Sequence, residues 1–146
     1  MILISNTPKE TGLIARDLIK KNIKKIFKEH AMVIALEGEL GAGKTTFAKA
    51  FARALGIKSH ITSPTFVLIK NYKVHFEDYE SLIHIDAYRL KNFKDLLPLG
   101  IKEIITNPRN IVLIEWADRV KSILPKNYIK IHIDHINETT RKINIL

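Results

Sequence analysis

Two stretches of this chain are apolar at every position: Ala31-Met32-Val33-Ile34-Ala35-Leu36 and Ile111-Val112-Leu113-Ile114. Short runs without alternation predict strands buried on both faces, as in a parallel sheet. Tyr128-Ile129-Lys130-Ile131-His132-Ile133-Asp134 instead alternates, predicting a strand with one face exposed. Asn137-Glu138 then turns the chain into Lys142-Ile143-Asn144-Ile145 as its hairpin partner. Ile2-Leu3-Ile4 predicts a short strand, and Phe66-Val67-Leu68-Ile69-Lys70 and Leu82-Ile83-His84-Ile85-Asp86 predict two more. The polar residues 71–81 between those two read as the long tip of an antiparallel hairpin.

Helical spacing appears in three places. Ala15, Leu18, Ile19, Ile23, Ile26 and Phe27 form one stripe, with Asn6 or Thr7 as the cap and Pro8 at the first helical position. Phe47, Ala50, Phe51, Ala54 and Leu55 form a second, stopped by Gly56. Residues 92–105 hold a third helical piece, interrupted at Pro98 and Gly100. The expected fold is α/β: one domain, residues 1–146, with a mixed central sheet flanked by helices on both sides.

Between the first apolar run and the second helix lies Gly38-Glu39-Leu40-Gly41-Ala42-Gly43-Lys44-Thr45, a match to G-x-x-x-x-G-K-[ST], the phosphate-binding P-loop. A chance match in a chain of this length is roughly a one-in-two-hundred event at ordinary residue frequencies, and the flanking strand and helix lower that further. The glycines let successive N–H groups point into one concavity, and the following helix adds partial positive charge. Lys44, read as an exposed loop lysine, is expected to reach the β- and γ-phosphates, and the Thr45 hydroxyl to ligate Mg²⁺.

Composition changes this picture little. The chain has 146 residues, no cysteine and a formal charge of +9. Disulfides and thiolate metal sites are therefore excluded. The opening MILISNTPKE carries no signal-peptide pattern and no membrane span, so the expected location is cytoplasmic. The positive balance suits an anionic partner, but many lysines belong to the outward face of the first helix. They read first as a solvated face, and a lysine- and isoleucine-rich composition can also reflect genomic base bias alone.

Two apolar runs end in a carboxylate, Asp86 and Glu115. A P-loop enzyme needs such an acid to hold or orient the Mg²⁺ shell. Glu115, after four aliphatics, is assigned to the metal. Asp86 is left near the γ-phosphate to position or deprotonate the attacking oxygen, with capping of the next turn as its structural alternative. His84 inside its run makes that strand the less central one, and reads as a satisfied core or edge histidine. Trp116 either packs the core or shields the nucleotide. Arg89 either stabilises transition-state charge or lies on the surface. Thr62-Ser63-Pro64-Thr65 is a plain turn or, in a nucleotide-binding context, a γ-phosphate-sensing loop.

No N-K-x-D guanine motif, ABC-type signature or arginine-rich lid occurs, which leaves a minimal ATPase. A small P-loop kinase of a nucleoside or metabolite, and a nucleotide-gated binding module with negligible turnover, are the rival readings.

Several motifs occur in one order: GELGAGKTTFAKAFARALG, S-P-T-F from Ser63, H-I-D-A-Y-R from His84, L-G-I-K-E from Leu99 and L-I-E-W from Leu113. Together they resemble the bacterial tRNA threonylcarbamoyladenosine biosynthesis ATPases, the TsaE family, over nearly the whole chain from about Thr11. The resemblance implies an ATP- and Mg²⁺-dependent accessory protein that joins the TsaB–TsaD threonylcarbamoyl transferase pair and meets tRNA indirectly or weakly. It implies nucleotide contacts at Gly41, Ala42, Gly43, Lys44, Thr45 and Thr46, with Thr11 and Arg141 near the base. Mg²⁺ would meet Thr45 and Glu115, and the catalytic set would be Asp86, Glu115 and a switch-like Thr65.

Overall fold

The computed structural model describes residues 1–22, 29–62, 64 and 68–146. Among these, strands β1 (Ile2–Ser5), β2 (Met32–Glu37), β3 (Ile69–Phe76), β4 (Tyr79–Asp86), β5 (Asn110–Glu115), β6 (Ile129–His135) and β7 (Arg141–Ile145) make one sheet. Their order is β1-β7-β6-β2-β5-β4-β3. The two all-apolar runs are β2 and β5. They lie side by side in parallel, with β2 also parallel to β6 and β5 parallel to β4. The remaining pairs, β1–β7, β6–β7 and β3–β4, are antiparallel.

Alternation along each strand sorts the core into two layers. Met32, Ile34, Leu36, Leu82, Ile111, Leu113, Ile131 and Ile133 pack under the helices α1 (Pro8–Asn22) and α2 (Lys44–Ala54). Val33, Ala35, Ile83, Ile85, Val112 and Ile114 face a layer of shorter pieces: a 3-10 segment Phe93–Leu99, the helix α3 (Ile101–Thr106) and a kinked 3-10 segment Ala117–Ile123. Every residue of β5 is buried, as the run predicts. On β6, Ile129, Ile131 and Ile133 are buried and their neighbours are not, which agrees with its alternation.

Local chemistry sets the ends of these elements. Thr7 caps α1: its hydroxyl accepts the Glu10 N–H at 3.1 Å, and the Glu10 carboxylate accepts the Asn6 N–H at 2.6 Å. Gly56, at φ 85°, terminates α2. The third helical piece is interrupted at Gly100, which separates the 3-10 segment from α3, while Pro98 lies inside the 3-10 segment. Of the first helix's stripe, Ile23, Ile26 and Phe27 lie outside the described residues, as do Phe66 and Val67 of the strand expected from residue 66.

One expectation is corrected. The β3–β4 hairpin has no long tip; only Glu77 and Asp78 separate the strands, and Phe76 pairs with Tyr79. Residues 71–76 belong to β3, which is an edge strand, and 79–81 to β4. Tyr72, Val74 and Phe76 face the helical layer, while Asn71, Lys73 and His75 are exposed. Hydration of one face makes such a strand look like loop in a run-by-run reading.

Candidate functional site

The loop from Gly38 to Gly43 leaves the C-terminal end of β2 and delivers the chain to α2. Gly43 is the N-cap, at φ 107°, and brings no side chain to cap the first turn. The opening N–H groups of any α-helix lack intrahelical acceptors, so this end of α2 is suited to an anion. Gly38, at φ 146°, comes so close to β6 that a Cβ would sit 2.4 Å from the Ile133 carbonyl oxygen. Gly41 is also left-handed but has open space around it. Gly38→Ala is therefore expected to cost roughly 2 kcal/mol or more of stability, through strain and displacement of the β2–β6 seam, and Gly41→Ala only about 1. Urea unfolding midpoints of the two variants check this; equal midpoints would remove the special role of Gly38.

Lys44 is not the exposed lysine the motif suggested. It is only 5% exposed, and its ammonium donates to the carbonyls of Gly38 at 2.6 Å and Glu39 at 2.8 Å. The ammonium also lies 4.1 Å from the centre of the Trp116 ring. Burial pulls its pKa below the usual lysine value, opposed by Glu115, Asp86, Glu39 and Asp118. The curvature of the loop around its own lysine produces this burial, and a linear motif cannot display it.

The two acids stand opposite each other, since β4 and β5 pair Asp86 with Glu115 in register. Glu115 is the more enclosed, at 2% exposure. Its Oε1 accepts the Thr45 hydroxyl at 2.9 Å. Asp86, also buried, accepts the Tyr88 N–H at 2.9 Å on Oδ1. It thus caps the turn after β4 and also lines the cleft. That cleft, about 360 Å³, is bounded by Gly41, Gly43, Lys44, Thr45, Thr46, Asp86, Tyr88, Glu115, Trp116 and Arg141. Ala42 lies beneath the loop, buried, its N–H donating to the Glu39 carbonyl at 3.0 Å.

A second concavity of about 330 Å³ shares Gly43, Thr46 and Arg141 with the first and includes Asn6, Pro8, Thr11, Ile133 and Thr139. The fold thus brings Thr11 and Arg141, far apart in sequence, to one side of the loop. Thr11 Oγ1 lies 2.7 Å from Ser5 Oγ. Arg141 donates to the Asn137 carbonyl at 2.6 Å, which holds its guanidinium against the β6–β7 turn. A Cβ on Gly43 would come 3.1 Å from Arg141 Nε. A larger concavity, about 800 Å³, is lined by residues such as Leu3, Leu18, Tyr128 and Ile145. It contains no motif residue, so chemistry and not volume marks the site.

Trp116 adopts the left-handed conformation at φ 58°, uncommon for a bulky residue. That backbone turns the ring over Lys44, where Tyr88 packs at 5.1 Å between centroids and the Arg119 guanidinium at 5.3 Å. The ring also packs on the second core layer, so this residue joins the core and lines the cleft at once. Arg89 is exposed and does not line the cleft. Thr65 lies outside the described residues; on either side of it Pro64 is buried, and the Leu68 carbonyl accepts the Asp86 N–H at 3.0 Å.

The donors present fit a nucleotide with a hard divalent cation. A hydroxyl and a carboxylate, already 2.9 Å apart at the head of α2, are the oxygen donors Mg²⁺ takes. A phosphate in this cleft would find the Lys44 ammonium as its counter-charge. Sequence reasoning gave no role to Tyr88 and Arg119 around the tryptophan; His84, read as a satisfied core or edge histidine, is buried with Nε2 against Glu115, a partner the sequence did not name. The signal for His84 was its parity: two residues before Asp86 on a strand, it must share that residue's face.

A family model described as threonylcarbamoyl adenosine biosynthesis protein TsaE matches residues 5–143. The tRNA threonylcarbamoyladenosine biosynthesis protein TsaE of Bacillus subtilis (strain 168) is 36% identical over 136 residues, covering 93% of this chain and 78% of the relative. Its counterpart from Treponema pallidum (strain Nichols) is 37% identical over 117 residues, covering 80% and 83%. Among solved structures, the crystal structure of YdiB from Bacillus subtilis superposes with a TM-score of 0.72 at 32% identity, over 99% of this chain and 83% of that one.

Proposed function

Since the chain belongs to the TsaE family of tRNA threonylcarbamoyladenosine biosynthesis proteins, we propose that it is an Mg²⁺-dependent ATPase that sustains threonylcarbamoyl transfer to tRNA by the TsaB–TsaD pair. The observation that carries this reading is the Thr45–Glu115 hydrogen bond. It sets a hydroxyl and a buried carboxylate side by side where the glycine loop meets α2. The backbone amides at residues 41–46 bind phosphate oxygens, and Lys44 exchanges its two carbonyl contacts for the β- and γ-phosphates. Thr45 and Glu115 hold the cation, which when bound neutralises phosphate charge. Asp86 orients the attacking water, Thr65 senses the γ-phosphate, and Thr11 and Arg141 border the base.

With so little positioned machinery, hydrolysis by the protein alone is slow and partner contact raises it. Contact with tRNA is weak or indirect, and the protein works in the cytoplasm. No helix among the described residues is long and apolar enough to cross a membrane.

The test is reconstitution of the tRNA modification with TsaB, TsaD and this protein, scoring repeated turnover and phosphate release. Continued turnover is expected only with ATP and this protein present. Unchanged turnover without it overturns the reading, and a stable phosphorylated nucleoside or metabolite in place of free phosphate identifies a kinase.

A further inference from the structure

The site's least explained residue is His84. It lies in β4, 1% exposed, on the face that also carries Leu82 and Asp86. Register places it opposite Leu113, so Glu115 stands one strand-period further along the neighbouring strand, on the same face. Its Nε2 lies 2.6 Å from Glu115 Oε2, and the other carboxylate oxygen accepts the Thr45 hydroxyl at 2.9 Å. Both oxygens of Glu115 are thereby engaged, from opposite sides, by groups on β4 and α2. A carboxylate this buried needs donors to offset its lost hydration. A donor on Oε2 alone also fixes the rotation of the group, leaving Oε1 toward Thr45.

We propose that His84 is a positioning residue for the cation site: its Nε2–H holds Glu115 Oε2 so that Oε1 stays aimed at Thr45 and at the divalent ion that accompanies the nucleotide. A histidine that merely fills the core would serve equally well as any apolar residue of its size. The positioning role instead requires a donor at this one atom. Outer partners of this kind are worth roughly 10–100-fold in metal affinity. The inference rests on the assignment of Glu115 to the cation, and the experiment separates the two.

The experiment is calorimetric titration of ADP, with Mg²⁺ and with a chelator, into the wild-type chain, His84→Leu, His84→Gln, Glu115→Gln and the double variant His84→Leu/Glu115→Gln. His84→Leu is expected to lower the Mg²⁺-dependent gain in ADP affinity about ten-fold while leaving chelator-bound affinity unchanged. His84→Gln, whose amide nitrogen can reach the place of Nε2, should recover most of the gain. In the Glu115→Gln background His84→Leu should change nothing further, because the path runs through that carboxylate. An unchanged Mg²⁺ gain in His84→Leu overturns the proposal, as does an equal loss in the Glu115→Gln background. Absence of any Mg²⁺ gain in the wild type overturns the cation assignment itself. If His84→Leu does not fold, imidazole nitrogen NMR decides: adding Mg²⁺ to the ADP-bound wild type should shift the His84 Nε2 resonance, in contrast to Glu115→Gln, and an unmoved wild-type resonance overturns the proposal.

Discussion

Replacing Lys44 by alanine is expected to weaken ATP binding by at least about a hundred-fold while the protein still folds. The ammonium holds two carbonyl oxygens of its own loop, the same short reach at which phosphate oxygens would be met. Charge-assisted hydrogen bonds are worth about 1.5–3 kcal/mol each, so losing two removes roughly 3 kcal/mol or more, a factor above a hundred in Kd. Stability should change far less, although the side chain is buried. Burial already disfavours its charge, and removing the ammonium relieves that cost as it removes the contacts. The two carbonyls it leaves belong to a half-buried Gly38 and an exposed Glu39, where water can replace the lost donor. Calorimetry with ATP–Mg²⁺ and a thermal melt check the two halves separately. Unchanged affinity would remove the loop from the nucleotide site, and a collapsed melt would make Lys44 a structural cation.

Glu115→Gln is expected to cut the Mg²⁺-dependent part of nucleotide affinity and phosphate release by roughly ten-fold or more, since a direct ligand should matter at least as much as its outer partner. Metal-free nucleotide binding should persist. The substitution keeps volume and can keep both hydrogen bonds: the amide oxygen still accepts from Thr45, and a tautomer change at His84 lets Nε2 accept from the amide nitrogen. Charge is then the main quantity removed. Asp86→Asn should behave differently, because Oδ1 still accepts the Tyr88 N–H and the turn survives. Its Mg²⁺ dependence should stay near wild type while phosphate release falls. Phosphate release against Mg²⁺ concentration for both variants is the measurement. Loss of metal dependence in Asp86→Asn with its retention in Glu115→Gln would exchange the two roles.

What the sequence determined by itself is mostly what short-range chemistry encodes. Two uninterrupted aliphatic runs are buried parallel neighbours, β2 and β5, because only strands covered on both faces exclude polar side chains at every position. Thr7, Pro8, Gly56 and Gly100 start and stop elements through backbone preferences that act over a few residues. The glycine loop and the two strand-end acids were legible for the same reason, as local pattern plus known chemistry. Polarity misled where it reported hydration of one face, in β3, and not absence of structure.

The tertiary structure alone decided what depends on pairing across sequence distance. Parallel register brings Glu115 beside Asp86, and the approach of α2 brings Thr45 to Glu115 across seventy residues. The curled loop and the Trp116 ring after β5 together enclose Lys44. His84 follows the same logic: its position within an apolar run suggests only a core residue, since strand alternation gives a face but no neighbour. The pairing of β4 with β5 supplies the neighbour, and a 2.6 Å contact to a buried carboxylate gives that histidine its chemistry.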